Sequence, residues 1–235
     1  NCSIYGELGR FPLSVLAKQR SAKFWLKVMK NVNIPIYNMY LDQCENVNNT
    51  CWASRISYII DHLGFSNIRL NFDVNINYFH PIRRRIHDQY LQEWKDAVNS
   101  LSKLYYYSQF KTEFGFENYL NKINNDDLRI QFTRLRLSSH NLEIETSRYN
   151  NIVRENRLCR VCNQKSVETE YHFVLCCNKY RDLRSKYLDK FSWPCLQRFN
   201  NIMGTQNKKK LIHISKFIKE SMSVRNQTLE NFAVS

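Results

Sequence analysis

The sequence predicts a mainly α-helical fold, and three features of its 235 residues support that prediction. Glycine and proline are scarce, with five and four residues, whereas all-β folds need many turns that depend on them. Hydrophobic residues make up 43% of the chain, which is enough for a packed core and argues against general disorder. Apolar residues also recur three and four positions apart, the spacing of an amphipathic helix.

Three helices are predicted in the first part of the chain. Pro12 suits the first turn of a helix, and a broad apolar stripe that includes Trp25 continues this helix to residue 30. A second helix is predicted over Pro35–Glu45 and a third over Trp52–His62. Gly64 is the stop signal of the third helix.

Further helices are predicted in the rest of the chain. Asp126 or Asp127 can cap one of them by accepting a hydrogen bond from its free N–H groups. The segment after Arg225 is expected to be loose. The predicted helices cover 86–103, 117–123, the segment that ends at Leu137, 183–191 and 208–222.

The polar, asparagine-rich stretch 67–77 is predicted to be a linker between two helical regions, 1–66 and 78–150. A cysteine-rich segment follows over 151–190, and a basic helical tail over 191–235. Because the chain begins at Asn1 rather than Met, we expect a fragment or an excised domain of a longer protein.

The chain carries a formal net charge of +14 and has a sequence pI near 9.5. Such an excess of lysine and arginine favours a polyanionic partner such as nucleic acid, because binding releases counterions from phosphates. No apolar run is long enough to span a bilayer, and no secretory leader is recognisable. We therefore expect no membrane partner, reduced thiols, and a location in the nucleus or cytoplasm rather than secretion.

Cys159 and Cys162 form a Cys-x-x-Cys pair, whose tight turn directs both sulfurs at one point. After nine intervening residues stands His172, and one helical turn beyond it stand Cys176 and Cys177. Three thiolates and one imidazole complete a tetrahedral zinc shell without an open position, which is typical of a structural site. Cys176 leaves three residues after His172 and Cys177 leaves four. Both spacings occur in zinc knuckles, so either cysteine can be the fourth ligand. The fold prediction is therefore helical bundle segments followed by a small CCHC zinc knuckle.

Two short phrases stand near the start of the chain, Gly6-Glu-Leu-Gly-Arg10-Phe-Pro-Leu and Lys23-Phe-Trp-Leu-Lys27. Four more lie between residues 135 and 184: Leu135-Arg-Leu-Ser-Ser-His140, Ile144-Glu-Thr-Ser-Arg148-Tyr, Arg157-Leu-Cys-x-x-Cys162 and Glu168-Thr-Glu170-Tyr-His-Phe173. With these phrases, roughly residues 4–190 resemble the region that follows the polymerase in non-LTR (LINE-type) retrotransposon reverse transcriptases. In that family one cysteine follows the histidine after four residues, so the resemblance favours Cys177 as the fourth ligand.

The resemblance implies a C-terminal module that holds element RNA or target DNA for a parent RNA-directed DNA polymerase. Residues 1–66 would be the helical region that follows the polymerase thumb, and the zinc knuckle would fix a basic surface against phosphates. The expected partners are nucleic acid and the rest of the parent polyprotein. The candidate nucleic-acid contacts are Arg134, Arg136, Arg148, Arg154, Arg157 and Arg160, and His140 and Tyr149 could stack on bases.

The polymerase core is not part of this sequence. Reverse transcriptases chelate two metal ions with palm aspartates, and the nearest counterpart here is Asn124-Asn-Asp-Asp127, which suits a helix cap. We therefore expect no catalytic site. The alternative to nucleic-acid binding is a zinc-stapled helical protein-interaction domain, as a domesticated or decayed element copy. Salt dependence separates the two, because phosphate contacts weaken steeply as salt rises.

Overall fold

The computed structural model describes residues 2–46, 51–70, 75–188 and 193–234, with side chains described as far as residue 231. The fold is mainly α-helical, as the sequence predicts, and within those ranges only isolated β-bridges form. In the same ranges no helix is both long and apolar enough to cross a membrane. The helices are α1 Cys2–Leu8, α2 Leu13–Lys30, α3 Pro35–Glu45, α4 Trp52–His62, α5 Ser66–Leu70, α6 Phe79–Ser100, α7 Tyr105–Phe110, α8 Tyr119–Lys122, α9 Asp126–Arg136, α10 Glu143–Tyr149, α11 Arg181–Tyr187, α12 Leu196–Met203 and α13 Lys208–Val234.

The chain forms two compact units, and the smaller unit comprises Arg10–Asp96. Its core lies where α2, α3 and α4 meet, and Trp25, Leu26, Ile56 and Ile60 are each at most 1% exposed there. On each helix these side chains belong to one apolar stripe, whose burial stabilises the unit through the hydrophobic effect. The apolar stripe predicted on the first helix is therefore a core face.

The larger unit comprises the residues up to Gly9 and those from Ala97 onward. Its core is rich in phenylalanine: Phe132, Phe173 and Phe217 are fully buried, and α13 packs along α9 and α11. Helix α1 belongs to this unit because the Tyr107 hydroxyl donates a hydrogen bond to a carbonyl of α1 at 3.2 Å. The candidate functional residues of the second half therefore lie in one unit.

Gly9 ends the first segment of the larger unit in a position that only glycine fits. Its φ is +58°, in the left-handed region, and an added Cβ atom would lie 2.5 Å from the backbone nitrogen of Phe116. The close approach is next to the antiparallel bridge between Leu8 and Phe116, which holds the two segments together. This geometry explains the second glycine of the phrase that begins at Gly6.

The two units do not divide at the predicted linker 67–77. Residues 66–70 form α5, in which Ile68 is buried, and both Ile76 and Tyr78 pack on the core around Trp25. Residues 71–74 of the predicted linker lie outside the described residues. The prediction of a linker rested on the asparagine-rich composition and overlooked these buried apolar side chains. The two units divide instead at the Gly9–Arg10 and Asp96–Ala97 bonds.

The C-terminal segment is part of the larger core, so the expectation of a loose end after Arg225 is wrong. Helix α13 continues beyond Arg225 to Val234, and the Arg225 side chain is 3% exposed. Leu211, Phe217 and Ile218 of the same helix are fully buried. The ion pair between Arg225 and Glu168 holds this part of the helix in place. The polar composition of the segment gave no indication of that pair.

Helix ends were predicted less well in the second half of the chain than in the first. The N-cap of α9 is Asn125 rather than Asp126 or Asp127, because the Asn125 side chain accepts a hydrogen bond from the Leu128 N–H at 3.0 Å. Helix α6 begins at residue 79, well before the predicted 86. Helix α11 ends at Tyr187, and positions 189–191 of the predicted helix lie outside the described residues.

Candidate metal centre

A short hairpin presents the Cys-x-x-Cys pair. Its two arms are joined by the antiparallel bridge between Leu158 and Val167 and by a hydrogen bond from the Cys159 N–H to the Ser166 carbonyl at 2.9 Å. Lys165 takes a φ of +49°, which closes the turn at the cost of left-handed strain. The hairpin thereby directs Cys159 and Cys162 toward the segment that follows it.

A single turn of π-helix over His172–Cys176 presents the other two residues. The Cys177 N–H donates to the His172 carbonyl at 2.8 Å, five residues back, so the turn contains one residue more than an α-helical turn. The Thr169 hydroxyl accepts the His172 N–H at 3.1 Å and fixes the start of the turn. His172 and Cys177 consequently face the hairpin together.

Cys159, Cys162, His172 and Cys177 form one cluster, hereafter the Cys/His cluster, and their ligand atoms all lie within 4.8 Å of one another. The Cys162 sulfur is 3.4 Å from His172 Nε2. Cys176 is not a member of the cluster, so the structure favours Cys177 in the choice that the spacing left open. Three sulfurs and one imidazole nitrogen could hold a metal ion.

The Cys/His cluster fits a tetrahedral ion in both composition and size. Zinc–sulfur bonds of about 2.3 Å place tetrahedral sulfurs about 3.8 Å apart, so small side-chain movements would bring this cluster to that geometry. Cys159, His172 and Cys177 are buried, and Cys162 is partly exposed. Four protein donors leave no vacant coordination position for a substrate, which is the arrangement of a structural site.

The surroundings of Cys159 and Cys162 favour the protonated form of these two thiols. The neighbouring Cys177 and then burial raise the pKa of Cys159, and burial raises the pKa of Cys162. A divalent cation among the sulfurs would reverse this balance, because metal binding displaces the thiol protons. The surroundings of Cys159 and Cys162 thus do not favour a reactive thiolate, and a cation held by the cluster would have to displace thiol protons.

A buried carboxylate connects the Cys/His cluster to α13. Glu168 accepts two hydrogen bonds from Arg225, at 2.8 and 2.7 Å, and its Oε1 lies 3.6 Å from the Cys159 sulfur. The backbone N–H of Glu143 donates to the other oxygen of Glu168 at 2.7 Å. Burial opposes the charge of Arg225, but Glu168 outweighs it and raises the pKa of the guanidinium. The charged pair thus fixes the hairpin against α10 and α13.

Sequence reasoning missed Glu143, Glu168 and Arg225 as parts of this site. Glu168 belongs to a phrase that was noticed, but Arg225 is 57 residues from it, and the pattern around Arg225 only indicates a polar helix. A buried charge requires a partner, yet nothing local reveals which acidic side chain would supply it. The signal that could have found Arg225 is the apolar stripe of α13, which indicates that this helix is packed.

Three of the predicted nucleic-acid contacts lie on the surface. Arg134 is exposed on α9, and Arg154 is exposed with its guanidinium 6.0 Å from the Tyr105 ring centre. Arg160 is 65% exposed although its Nη2 lies 2.5 Å from a carboxylate oxygen of Glu143. These side chains can meet a phosphate without unfolding the structure.

Two more of the predicted arginines are partly committed to internal contacts. Arg148 forms an ion pair with Glu145 at 3.1 Å, within α10. Arg157 donates to the carbonyls of Ile152 and Ile144, at 2.8 Å each, and so holds the loop between α10 and the hairpin. Arg157 therefore fixes the backbone near the Cys/His cluster, whereas the Arg148 pair lies within one helix.

Arg136 is the prediction that the structure corrects. Its side chain is 2% exposed, its Nη2 lies 2.9 Å from a Glu7 carboxylate oxygen, and Glu117 lies 3.4 Å away. It also donates to the Met203 carbonyl and lies 4.7 Å from the centre of the Phe110 ring. This guanidinium joins α1, α9 and α12 inside the larger unit and is not available to phosphates.

The two residues expected to stack on bases also differ in exposure. His140 is buried, with Nε2 3.0 Å from Glu170, and its Nδ1 accepts the N–H of Leu142, so it is part of a core network rather than a stacking platform. Both ring nitrogens of His140 are therefore engaged in hydrogen bonds inside the unit. Tyr149 is 75% exposed and has its ring 5.6 Å from the Arg148 guanidinium. Only Tyr149 presents its ring to solvent.

Comparison of the chain with family models, with curated proteins and with solved structures finds no match. The function is therefore inferred from the geometry and chemistry of the residues, together with the phrases noted in the sequence.

Proposed function

We propose that the Cys/His cluster holds one structural Zn²⁺ ion and that the larger unit binds nucleic acid. In this proposal the chain is the C-terminal, nucleic-acid-binding segment of a LINE-type RNA-directed DNA polymerase and has no catalytic role of its own. Zinc is favoured over other ions because a set of three sulfurs and one nitrogen in tetrahedral arrangement suits it best. Reduced thiols are required, which is consistent with the nucleus or cytoplasm.

The zinc proposal is tested by neighbouring cysteines that the structure distinguishes. Elemental mass spectrometry of reduced, purified protein should find about one zinc per chain. Cys177→Ser should lose most of it, because removing one ligand from a closed shell costs most of the affinity. Cys176→Ser is the matched control and should keep its zinc, since Cys176 is outside the Cys/His cluster. Well-folded wild-type protein without zinc would sink the proposal.

One observation supports nucleic-acid binding above the others: the fold of the larger unit buries more negative than positive side chains. Five carboxylate residues and three basic residues are buried among those that the structure describes. Two of these carboxylates pair with cations at the surface, Glu143 with Arg160 and Glu145 with Arg148. The other exposed cations of the unit include the proposed phosphate contacts Arg134 and Arg154. The buried charged residues are Glu7, Glu143, Glu145, Glu168 and Glu170, with Lys111, Arg136 and Arg225.

Binding of a fluorescent single-stranded RNA should be measured over a series of salt concentrations. The logarithm of the association constant should fall linearly with the logarithm of salt, as counterion release requires. Replacing Arg134 and Arg154 together by Gln should reduce this slope by about 1.4, since each phosphate contact with a single strand contributes about 0.7. Arg136→Lys is not suited to this test, because Arg136 is buried.

A shallow or absent salt dependence would contradict nucleic-acid binding. Such a result, in protein that still holds its zinc, would favour the zinc-stapled protein-interaction domain instead. An apolar protein interface depends little on salt, whereas phosphate contacts depend on it steeply.

A further inference from the structure

A polar cleft of about 350 Å³ opens between α9, the turn that follows it, and α13. Its volume is within the range of about 300–1,000 Å³ that is typical of small-ligand sites. Its lining includes Gln131, Arg134, Ser139, Asn141, Met222 and Asn226. The cleft contains Arg134, a proposed phosphate contact, and is separate from the Cys/His cluster.

The wall formed by the turn after α9 is held in place by buried bonds. Ser138 takes a φ of +49° at the end of α9, and the Ser139 N–H closes the turn on the Arg134 carbonyl at 2.8 Å. The Ser138 hydroxyl donates to Glu170 at 2.6 Å, and His140 bonds to the same carboxylate oxygen at 3.0 Å. The cleft is thus preformed.

The side chains of the cleft limit what it can bind. No carboxylate lines it, which makes it unsuitable for a metal cation, and Met222 is its one apolar side chain. Gln131, Asn141 and Asn226 each carry a carboxamide, which offers a donor and an acceptor in one plane. Paired donors and acceptors of this kind match the edges of nucleobases, and an arginine matches phosphate.

We propose that the cleft binds one unpaired nucleotide of single-stranded nucleic acid, with the carboxamides of Gln131, Asn141 and Asn226 on the edge of the base and Arg134 on its phosphate. The inference rests on the proposed nucleic-acid binding and adds to it a site of base preference. The phosphate contacts elsewhere on the larger unit are indifferent to sequence, because every nucleotide carries the same backbone.

The test uses the full chain and three fluorescent RNA 10-mers, of A, of C and of U, at one fixed salt concentration. The wild type should bind one of them more tightly than the weakest by about fivefold or more, since a good pair of base contacts discriminates to that degree. Asn226→Ala should remove most of this preference and leave the salt slope unchanged. Arg134→Gln should weaken binding to all three oligonucleotides similarly and reduce the salt slope by about 0.7.

Gln227→Ala is the matched control, because Gln227 is the exposed neighbour of Asn226 on α13 and does not line the cleft. It should keep the wild-type preference. Thermal unfolding of the variants, which replace residues at the surface or the cleft wall, checks that each one is folded. Salt-dependent binding of all three oligonucleotides with equal affinity, or a preference that survives Asn226→Ala, would overturn the nucleotide cleft and leave the proposed function intact. Absence of salt-dependent binding to any of them would overturn both.

Discussion

Arg134 and Arg136 lie two residues apart on α9, and the fold gives them opposite surroundings. Residues two apart on an α-helix point about 200° away from each other, so a helix with one buried face exposes one and buries the other. The apolar residues Phe132 and Leu135 indicate from sequence where that buried face lies. The partner of Arg136 could not be predicted, because Glu7 is 129 residues away along the chain.

The pair of arginines on α9 gives the first stability prediction. Arg136→Met should lower the free energy of unfolding by about 3–5 kcal/mol, because it leaves the carboxylate of Glu7 buried without its partner. Arg134→Met should change it by no more than about 0.5 kcal/mol, as is usual at exposed positions. Urea denaturation followed by circular dichroism measures both. Equal effects of the two substitutions would show that the ion pair with Glu7 does not stabilise the fold.

At the scale of secondary-structure elements, the local sequence predicts where helices form better than it predicts which segments they pack against. The bounds of α3 and α4 agree with the prediction, because periodic apolar residues and a stop signal at Gly64 define them locally. The chemistry of the Cys/His cluster was likewise readable, since it depends on residue types and short spacings. The π-helical turn could not be predicted, because Cys176 and Cys177 both lie about one helical turn from His172. Which of the two cysteines faces the cluster depends on what the turn packs against.

Helix α13 and the hairpin are joined by the Arg225–Glu168 pair, and this pair gives the second prediction. Arg225→Met should weaken the proposed zinc binding by about 10–100-fold, because Glu168 without its cation holds the Cys159 thiol proton more strongly, and zinc must displace that proton. Lys216→Met, at an exposed position of the same helix, is the control and should bind zinc as the wild type does. Competition with a chromophoric chelator measures the affinities.

A double substitution distinguishes an electrostatic role of Arg225 from a packing role. Glu168→Gln in the Arg225→Met background removes the uncompensated charge, so it should restore part of the lost zinc affinity. If the double variant binds no better than Arg225→Met alone, the loss arises from altered packing of α13 and not from the charge beside Cys159.

At the scale of the whole molecule, the order of segments along the chain does not match their division between the two compact units. Helix α1 is assigned with residues from Ala97 onward, so the smaller unit is an insertion between Gly9 and Ala97 in the sequence of the larger one. A hydrogen bond from the Glu117 N–H to the Glu7 carbonyl at 2.8 Å holds the segment before the insertion against the rest of the larger unit. Sequence patterns report local periodicity, and they do not reveal which distant segment a helix packs on. The predicted division at 67–77 failed for this reason.

The last prediction compares the effect of metal removal on the larger unit with its effect on the smaller unit of the same molecule. A bound metal stabilises only the structure that holds it. If the cluster holds zinc as proposed, its removal by a chelator should increase amide hydrogen exchange in the larger unit and leave exchange in Arg10–Asp96 unchanged. Exchange measured by mass spectrometry on peptides of α9 and α13, against those of α2 and α4, checks this. Cys177→Ser should show the fast exchange with or without chelator. Faster exchange in both units would mean that they unfold as one, and unchanged exchange throughout would mean that the metal does not contribute to the stability of the fold.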